Sequence, residues 1–380
     1  MQRKTVTKIL VNGISAKSGG GRSILTNFLK IAHDADDDFR YIVTVSSLEG
    51  YKDLACEKIQ FVSMGRQSHT MMIPFASVVT LPRLIRRYDC DLVFNLSDIP
   101  IRTKSPQVFL FDWPYAAFPE SPAWRLSTLR DRLVRHSKLF LFRQLLSFVD
   151  VMIAQNKVLA ELLRKNYGLE GIKVVPNAVS VDNLSGGAGH DFGLGDGFKY
   201  LCLSRYYSHK NIEIFLPLAE LIKANGLTTK IVTTISSQDG AGAAAFLLAV
   251  KDRKLEDVIV NLGPVSMEWV PDLYQQTDAL LLPTLLESFS GTYVEAMYHH
   301  KPIFTSRLPF AEGVCGTAAF YFDPLDADAI YSCMRAAIKS PERIESKVLA
   351  AAKLLQEMPT WDDAYNAYAM AFKTALQDTE

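Results

Sequence analysis

Short runs rich in β-branched and aromatic residues alternate with longer segments of helical period along the whole chain, and this alternation restricts the fold more than any other feature. Strands that return to one sheet through helices run parallel and are covered on both faces. They therefore read as nearly unbroken apolar stretches. Thr5 to Val11 is the first such strand, followed by a loop from Asn12 to Gly21 and a helix from Arg22 to about His33. Tyr41 to Ser46, Leu92 to Asn95, Val108 to Phe111, Val151 to Ala154 and Lys173 to Val175 read as further buried strands, and Arg125 to Phe148 has helical period. The fold class is α/β.

The rhythm breaks at Ser180 to Phe198, where Gly186, Gly187, Gly189, Gly193, Gly195 and Gly197 accumulate without apolar period. It then restarts: strands at Tyr200 to Ser204, Lys230 to Thr234, Val258 to Leu262, Ala279 to Leu282 and Pro302 to Thr305 alternate with helices at Asn211 to Asn225, Ala241 to Asp252, Trp269 to Gln276 and Tyr293 to His299. Two domains suit 380 residues, more than one core commonly holds. Lys+Arg and Asp+Glu both number 41, so net charge gives no reason to expect nucleic acid. Residues 1–185 carry 25 basic against 17 acidic side chains, leaving 16 against 24 in the remainder. An anionic partner for the first half, such as a membrane surface, and ordinary surface charge both fit. The five cysteines are odd in number and scattered, which fits a reducing cytoplasm. No apolar window reaches the length of a signal peptide or a membrane span, so the expected location is cytoplasmic, peripheral to the inner face of a membrane at most.

Glu287 and Glu295 stand eight positions apart around a turn of small residues, Ser288-Phe289-Ser290-Gly291-Thr292, that opens a helix. Small residues let a ligand approach the backbone. The free N–H groups of a helix start suit phosphate, and a carboxylate in its first turns suits ribose hydroxyls. Taken as spacing alone, a surface acid and a helix-start acid are the commoner explanation. The surrounding residues change that: Leu281-Leu-Pro-Thr-Leu-Leu-Glu-Ser-Phe-Ser-Gly-Thr-Tyr-Val-Glu-Ala-Met, then Lys301-Pro-Ile and Ala318-Ala-Phe-Tyr-Phe-Asp-Pro, resemble family 4 of the glycosyltransferases. The resemblance implies a GT-B fold, two facing Rossmann-like domains with a cleft between them, and a retaining transfer of a hexose. The donor would be a GDP- or UDP-sugar, the acceptor a saccharide or lipid-linked saccharide, and the setting bacterial cell-surface polysaccharide synthesis. It implies an acceptor domain over 1–182, completed by a C-terminal helix at about 360–380 starting near Trp361, and a donor domain over 183–359.

By the same resemblance Glu287 contacts the donor sugar and Glu295 the nucleotide ribose. This chain has Ser290-Gly291-Thr292 where the family more often has Gly-Leu-Pro. Leu203 to Asn211 resembles the family segment that supplies an Arg and a Lys-Asn, here Arg205 and Lys210-Asn211. Two fixed cations stabilise the charge that gathers on a leaving diphosphate without a metal. Neither a bound metal nor a cofactor beyond the nucleotide-sugar co-substrate is therefore expected. Gly19, Gly20 and Gly21 resemble the loop that faces the donor diphosphate, and a purely structural turn is equally open. Their spacing fits neither a dinucleotide fingerprint nor a P-loop, which leaves a nicotinamide enzyme poorly supported.

Asp112, in Phe111-Asp112-Trp113-Pro114, is the candidate for orienting or deprotonating an acceptor hydroxyl, and Phe111 stands where the family usually has His. That substitution opens the alternative of a catalytically inactive sugar-nucleotide-binding protein. The helix around Arg125, Arg130, Arg132, Arg135, Lys138 and Arg143 reads as a solvated helix or as one lying on anionic lipid. His299-His300 reads as a cationic helix C-cap.

Overall fold

A computed structural model describes residues 6–17, 19–178 and 184–377. The chain forms two compact units, one of Met1–Pro119, Thr128–Ala178 and Pro359–Glu380, the other of Glu120–Ser127 and Val179–Met358.

The first unit is built on a parallel sheet of seven strands among the described residues: β1 Thr7–Asn12, β2 Phe39–Val45, β3 Ile59–Ser63, β4 Leu92–Asn95, β5 Gln107–Phe111, β6 Val151–Ala154 and β7 Lys173–Val174. Their spatial order is β3-β2-β1-β4-β5-β6-β7. The pleat of β1 divides its apolar run between two cores. Ile9 and Val11 join helix α1 (Gly19–Asp34) on one face, and Leu10 joins Leu81 and Ile85 of α2 (Leu81–Tyr88) on the other. β3 escaped the sequence reading because Ile-Gln-Phe-Val-Ser is short and half polar, as an edge strand can be. Gly19, Gly20 and Gly21 form the first turn of α1 instead of ending a loop. Helix α3 (Leu129–Leu145) starts four residues later than expected, because Thr128 caps it by accepting from Asp131 N at 3.1 Å. Helix α4 (Lys157–Tyr167) connects β6 to β7.

Among the described residues the second unit has six parallel strands, β8 Phe198–Cys202, β9 Thr229–Thr233, β10 Ile259–Asn261, β11 Ala279–Leu282, β12 Ile303–Ser306 and β13 Ala319–Phe322, in the order β10-β9-β8-β11-β12-β13. Its helices are α5 Phe215–Ala224, α6 Ala241–Asp252, α7 Val270–Gln276, α8 Gly291–Tyr298, α9 Pro309–Cys315, α10 Ala327–Ile338 and α11 Pro341–Gln356.

The glycine-rich stretch is more than a linker. The Asp272 carboxylate on α7 accepts from Gly189 N at 3.3 Å and His190 N at 3.1 Å, and His190 stacks on Trp269 at 4.2 Å. A Cβ at Gly187 would lie 1.7 Å from Asp272 Oδ1, so this close approach admits only glycine. The boundary expected between residues 182 and 183 lies outside the described residues. The unbroken 1–182 domain needs one correction: Glu120–Ser127 belongs to the second unit, where Ser121 Oγ donates to Leu285 O at 2.9 Å.

The last helix, α12 (Trp361–Gln377), lies in the first unit and packs into the α1 face. Phe372 meets Phe94 at 5.0 Å between ring centroids, and the Tyr365 and Tyr41 hydroxyls are 2.8 Å apart. Lys173 Nζ also donates to Thr374 Oγ1 at 2.8 Å.

Candidate active site

In each sheet the chain order reverses once, between β1 and β4 and between β8 and β11. Loops leaving two such neighbours diverge, and open parallel sheets bind ligands in the crevice this leaves at the strand carboxyl ends. The residues singled out in the second unit stand there. After β8 the chain makes a tight turn over Ser208–Lys210 that ends on Asn211 in the left-handed region (φ 56°, ψ 38°), a conformation asparagine tolerates. Asn211 Nδ2 fixes the turn by donating to Pro324 O at 2.7 Å. Leu285 N, just beyond β11, donates to His209 O at 2.7 Å. These bonds lace the two loops together and set Lys210 Nζ against Glu287 Oε1, with both side chains only 14% and 13% exposed. Thr284 Oγ1 donates to the same carboxylate oxygen at 3.3 Å.

Arg205 is anchored separately. Its Nε and Nη2 both donate to Asp239 Oδ1, at 3.0 and 2.8 Å, while the guanidinium side chain stays 60% exposed. Asp239 closes a capping box with Ser236 and accepts from Tyr206 N at 3.2 Å. Burial pushes the Asp239 carboxyl up, but the Arg205 and backbone donors outweigh it and hold the group below the usual range. The result is a fixed, outward-facing cation beside the β8 crevice.

Glu295 sits one turn into α8 in a different environment. Its Oε2 accepts from the Tyr274 hydroxyl at 3.1 Å, and Tyr274, fully buried, stacks on His299 at 4.7 Å. Burial raises the Glu295 carboxyl above its usual range, with the Tyr274 hydrogen bond working against the rise. His299 is the C-cap residue of α8, as expected, and burial lowers its pKa, which works against the cationic form expected of it. Between the two acids, Ser288 and Ser290 are buried and the Ser290 and Thr292 hydroxyls are 2.9 Å apart. A Cβ on Gly291 would meet open space, so nothing in the protein itself demands glycine there.

In the first unit, Asp112 follows β5 and accepts from Gln155 Nε2 at 2.9 Å. Gly21 is its neighbour: a Cβ there would lie 3.9 Å from Asp112 Oδ2. Phe111 is completely buried and packs on Phe142 of α3 at 5.9 Å, so the position that carries His in the resembling family is a core position here. Lys138 departs from the expected solvated face of α3. It is buried, ion-paired with Asp98, and lies over the Trp113 ring at 5.6 Å.

Of the residues read from the sequence, the structure joins Lys210 to Glu287 and sets Gly21 beside Asp112. It anchors Arg205 and Glu295 through two residues the reading passed over, Asp239 and Tyr274. Asp239 was legible as the last residue of the Ser236-Ser-Gln-Asp239 capping pattern. Tyr274 left no sequence signal, since its partner lies on another helix.

Residues 193–353 match the family model described as glycosyl transferases group 1. That segment is similar to the group 1 glycosyltransferases. It contains Arg205, Lys210, Glu287 and Glu295. The O-antigen chain mannosyltransferase RfbU of Salmonella typhimurium is 25% identical over 145 residues, 38% of this chain and 40% of that protein, so the chain aligns with less than half of this curated relative. Solved structures match over nearly the whole chain. Sucrose-phosphate synthase of Thermosynechococcus elongatus superposes with a TM-score of 0.76 at 12% identity, covering 98% of this chain and 100% of that one. HepE of Anabaena, in complex with UDP-glucose, superposes with a TM-score of 0.73 at 15% identity, covering 97% and 99%. At such identities the likeness is one of fold: α/β, of the GT-B type. Among the described residues no helix is long and apolar enough to cross a membrane.

Proposed function

We propose that this chain is a retaining glycosyltransferase that moves a hexose from a GDP- or UDP-sugar to a saccharide or lipid-linked saccharide acceptor in bacterial cell-surface polysaccharide synthesis. The observation that carries the reading is the Lys210–Glu287 pair at the β8/β11 reversal, inside the group 1 segment. Glu287 accepts from hydroxyls of the donor sugar, and Glu295 from those of the ribose. The hydroxyls and backbone of Ser288 to Thr292, at the start of α8, face the diphosphate. The N-terminal turn of α1, with Gly19, Gly20 and Gly21, offers further N–H groups for phosphate.

When the bond between the anomeric carbon and the diphosphate breaks, its electron pair goes to the phosphate oxygen, and Arg205 and Lys210 stabilise the charge. The acceptor oxygen then bonds to the anomeric carbon from the same face, which preserves configuration. Asp112, held by Gln155, orients the acceptor hydroxyl and takes its proton. The polysaccharide setting is supported by the name of the Salmonella relative. That name gives a mannosyl group and the Anabaena complex a UDP-glucose, so the donor is sought among both nucleotides.

The test is a thermal-shift screen of UDP, GDP, ADP and their sugar conjugates on the native chain and on Glu295→Ala. One nucleotide stabilising the native chain and not the variant supports the reading. No shift with any of them removes its basis. The burial of Phe111 favours a second reading, a sugar-nucleotide-binding protein without transferase activity. Tight donor binding with neither transfer nor slow donor hydrolysis selects it.

A further inference from the structure

We propose that the outward face of α3, together with the segment around Met71 to Phe75, docks the first unit onto the surface of an anionic lipid bilayer. The inward face of α3 is fixed by Lys138, Phe142 and Leu145, which are buried. At about 100° per residue, Leu129, Leu133 and Phe140 project from the opposite side, and they are 77%, 73% and 62% exposed. Met71, Met72 and Phe75 are exposed as well, and Arg130 Nη2 reaches Met71 Sδ at 4.0 Å, which puts the two segments side by side. Large apolar side chains concentrated in this way on a water-facing surface mark an interaction site.

The borders of the stripe select its occupant. Arg130 and Arg132 flank it, one on either side, and Asp131, the acid of the same turn, is already engaged by the Thr128 cap. A helix with apolar side chains at its crest and arginines at its shoulders suits a membrane interface. The crest enters the acyl boundary while the guanidinium groups stay among the lipid phosphates. A second copy of the chain suits it poorly, since a two-fold contact through this face would set each arginine pair against its own copy. The inference stands apart from the transferase reading, because vesicle binding needs neither donor nor acceptor.

The experiment is vesicle flotation with phosphatidylcholine alone and with phosphatidylcholine and phosphatidylglycerol mixed at about 3:1, at low and at high salt. The full chain is compared with the triple variant Leu129→Ser, Leu133→Ser, Phe140→Ser. The expected result is binding to the mixed vesicles that weakens in salt, and a partition lower by about tenfold or more in the triple variant at an unchanged melting temperature. Arg130→Glu and Met71→Ser, tested singly, are expected to weaken binding in the same direction and stand in if the triple variant fails to fold. Equal binding to neutral vesicles, binding that survives the substitutions, or no binding to either vesicle overturns the proposal. So does a dimer in light scattering that the triple variant disperses, which would make a second copy the occupant.

Discussion

Substituting Lys210 by alanine removes a cation that pairs with Glu287 and, in the proposed mechanism, steadies the leaving group, and the two effects can be separated in size. The side chain neutralises Glu287 across the β8 and β11 loops, and both partners are about one-seventh exposed. Breaking a wholly buried pair costs about 3–5 kcal/mol; here some water reaches the abandoned carboxylate and Thr284 Oγ1 remains its donor, so about 1–3 kcal/mol is expected. For a unit of this size that is a melting temperature lower by roughly 3–10 °C. If Lys210 also steadies the departing diphosphate, turnover at saturating donor falls by about 10²–10³. Glu287→Gln supplies the control, since a neutral amide needs no cation. The double variant should recover most of the lost melting temperature and none of the lost turnover. Calorimetry and initial rates on the four proteins complete the cycle. Turnover of Lys210→Ala within about threefold of native would refute leaving-group stabilisation. A double variant that melts no higher than the single one would refute the pair as the source of the lost stability.

Gly291→Ala fills only open space at a helical position, so the melting temperature should hold or rise slightly, by about 0.4–1 kcal/mol of stability, while donor affinity falls if the phosphates approach this backbone; unchanged affinity in calorimetric titration removes that contact. Tyr274→Phe deletes the hydrogen bond that opposes the upward shift of Glu295. The ionised carboxylate is then lost at a higher pH on acidification, so the acidic limb of nucleotide binding should move upward; an unmoved limb in a titration of affinity against pH counts against the role of Glu295. Phe372→Ala empties a fully buried site between Phe28, Phe39 and Phe94, at about 3–5 kcal/mol, and chemical denaturation showing less than about 1 kcal/mol would mean that α12 is not part of the first unit's core.

Most of the two sheets was legible because parallel strands covered on both faces are written as apolar runs, and β4, β5, β6 and β11 read almost to the residue. β3 was not, since an edge strand needs only one apolar side. The glycine-rich stretch at 185–197 misled for a related reason: glycine reports backbone freedom, and here that freedom serves a close approach to Asp272 that no local pattern records. The excursion of Glu120–Ser127 into the second unit depends on Ser121 reaching Leu285, 164 positions away. Likewise the chain names the charged candidates of the site but not what holds them, because Asp239 and Tyr274 meet their partners only after the sheet has formed.

The two glutamates show why spacing and role are different kinds of information. Eight positions and one turn separate them, and as a sequence pattern they are a single motif. In the folded chain Glu287 lies against an ammonium group and a hydroxyl, where its charge is matched before any ligand arrives. Glu295 lies against a buried tyrosine, and its charge is opposed by burial. The first environment gives the carboxylate a cation and a hydroxyl already in place. The second suits a group whose lone pairs gain most from new hydroxyl donors, because each such donor relieves a desolvated carboxylate. Under the proposed function the donor sugar meets the first environment and the ribose the second. Exchanging the two surroundings, not the two residues, is what would exchange the roles.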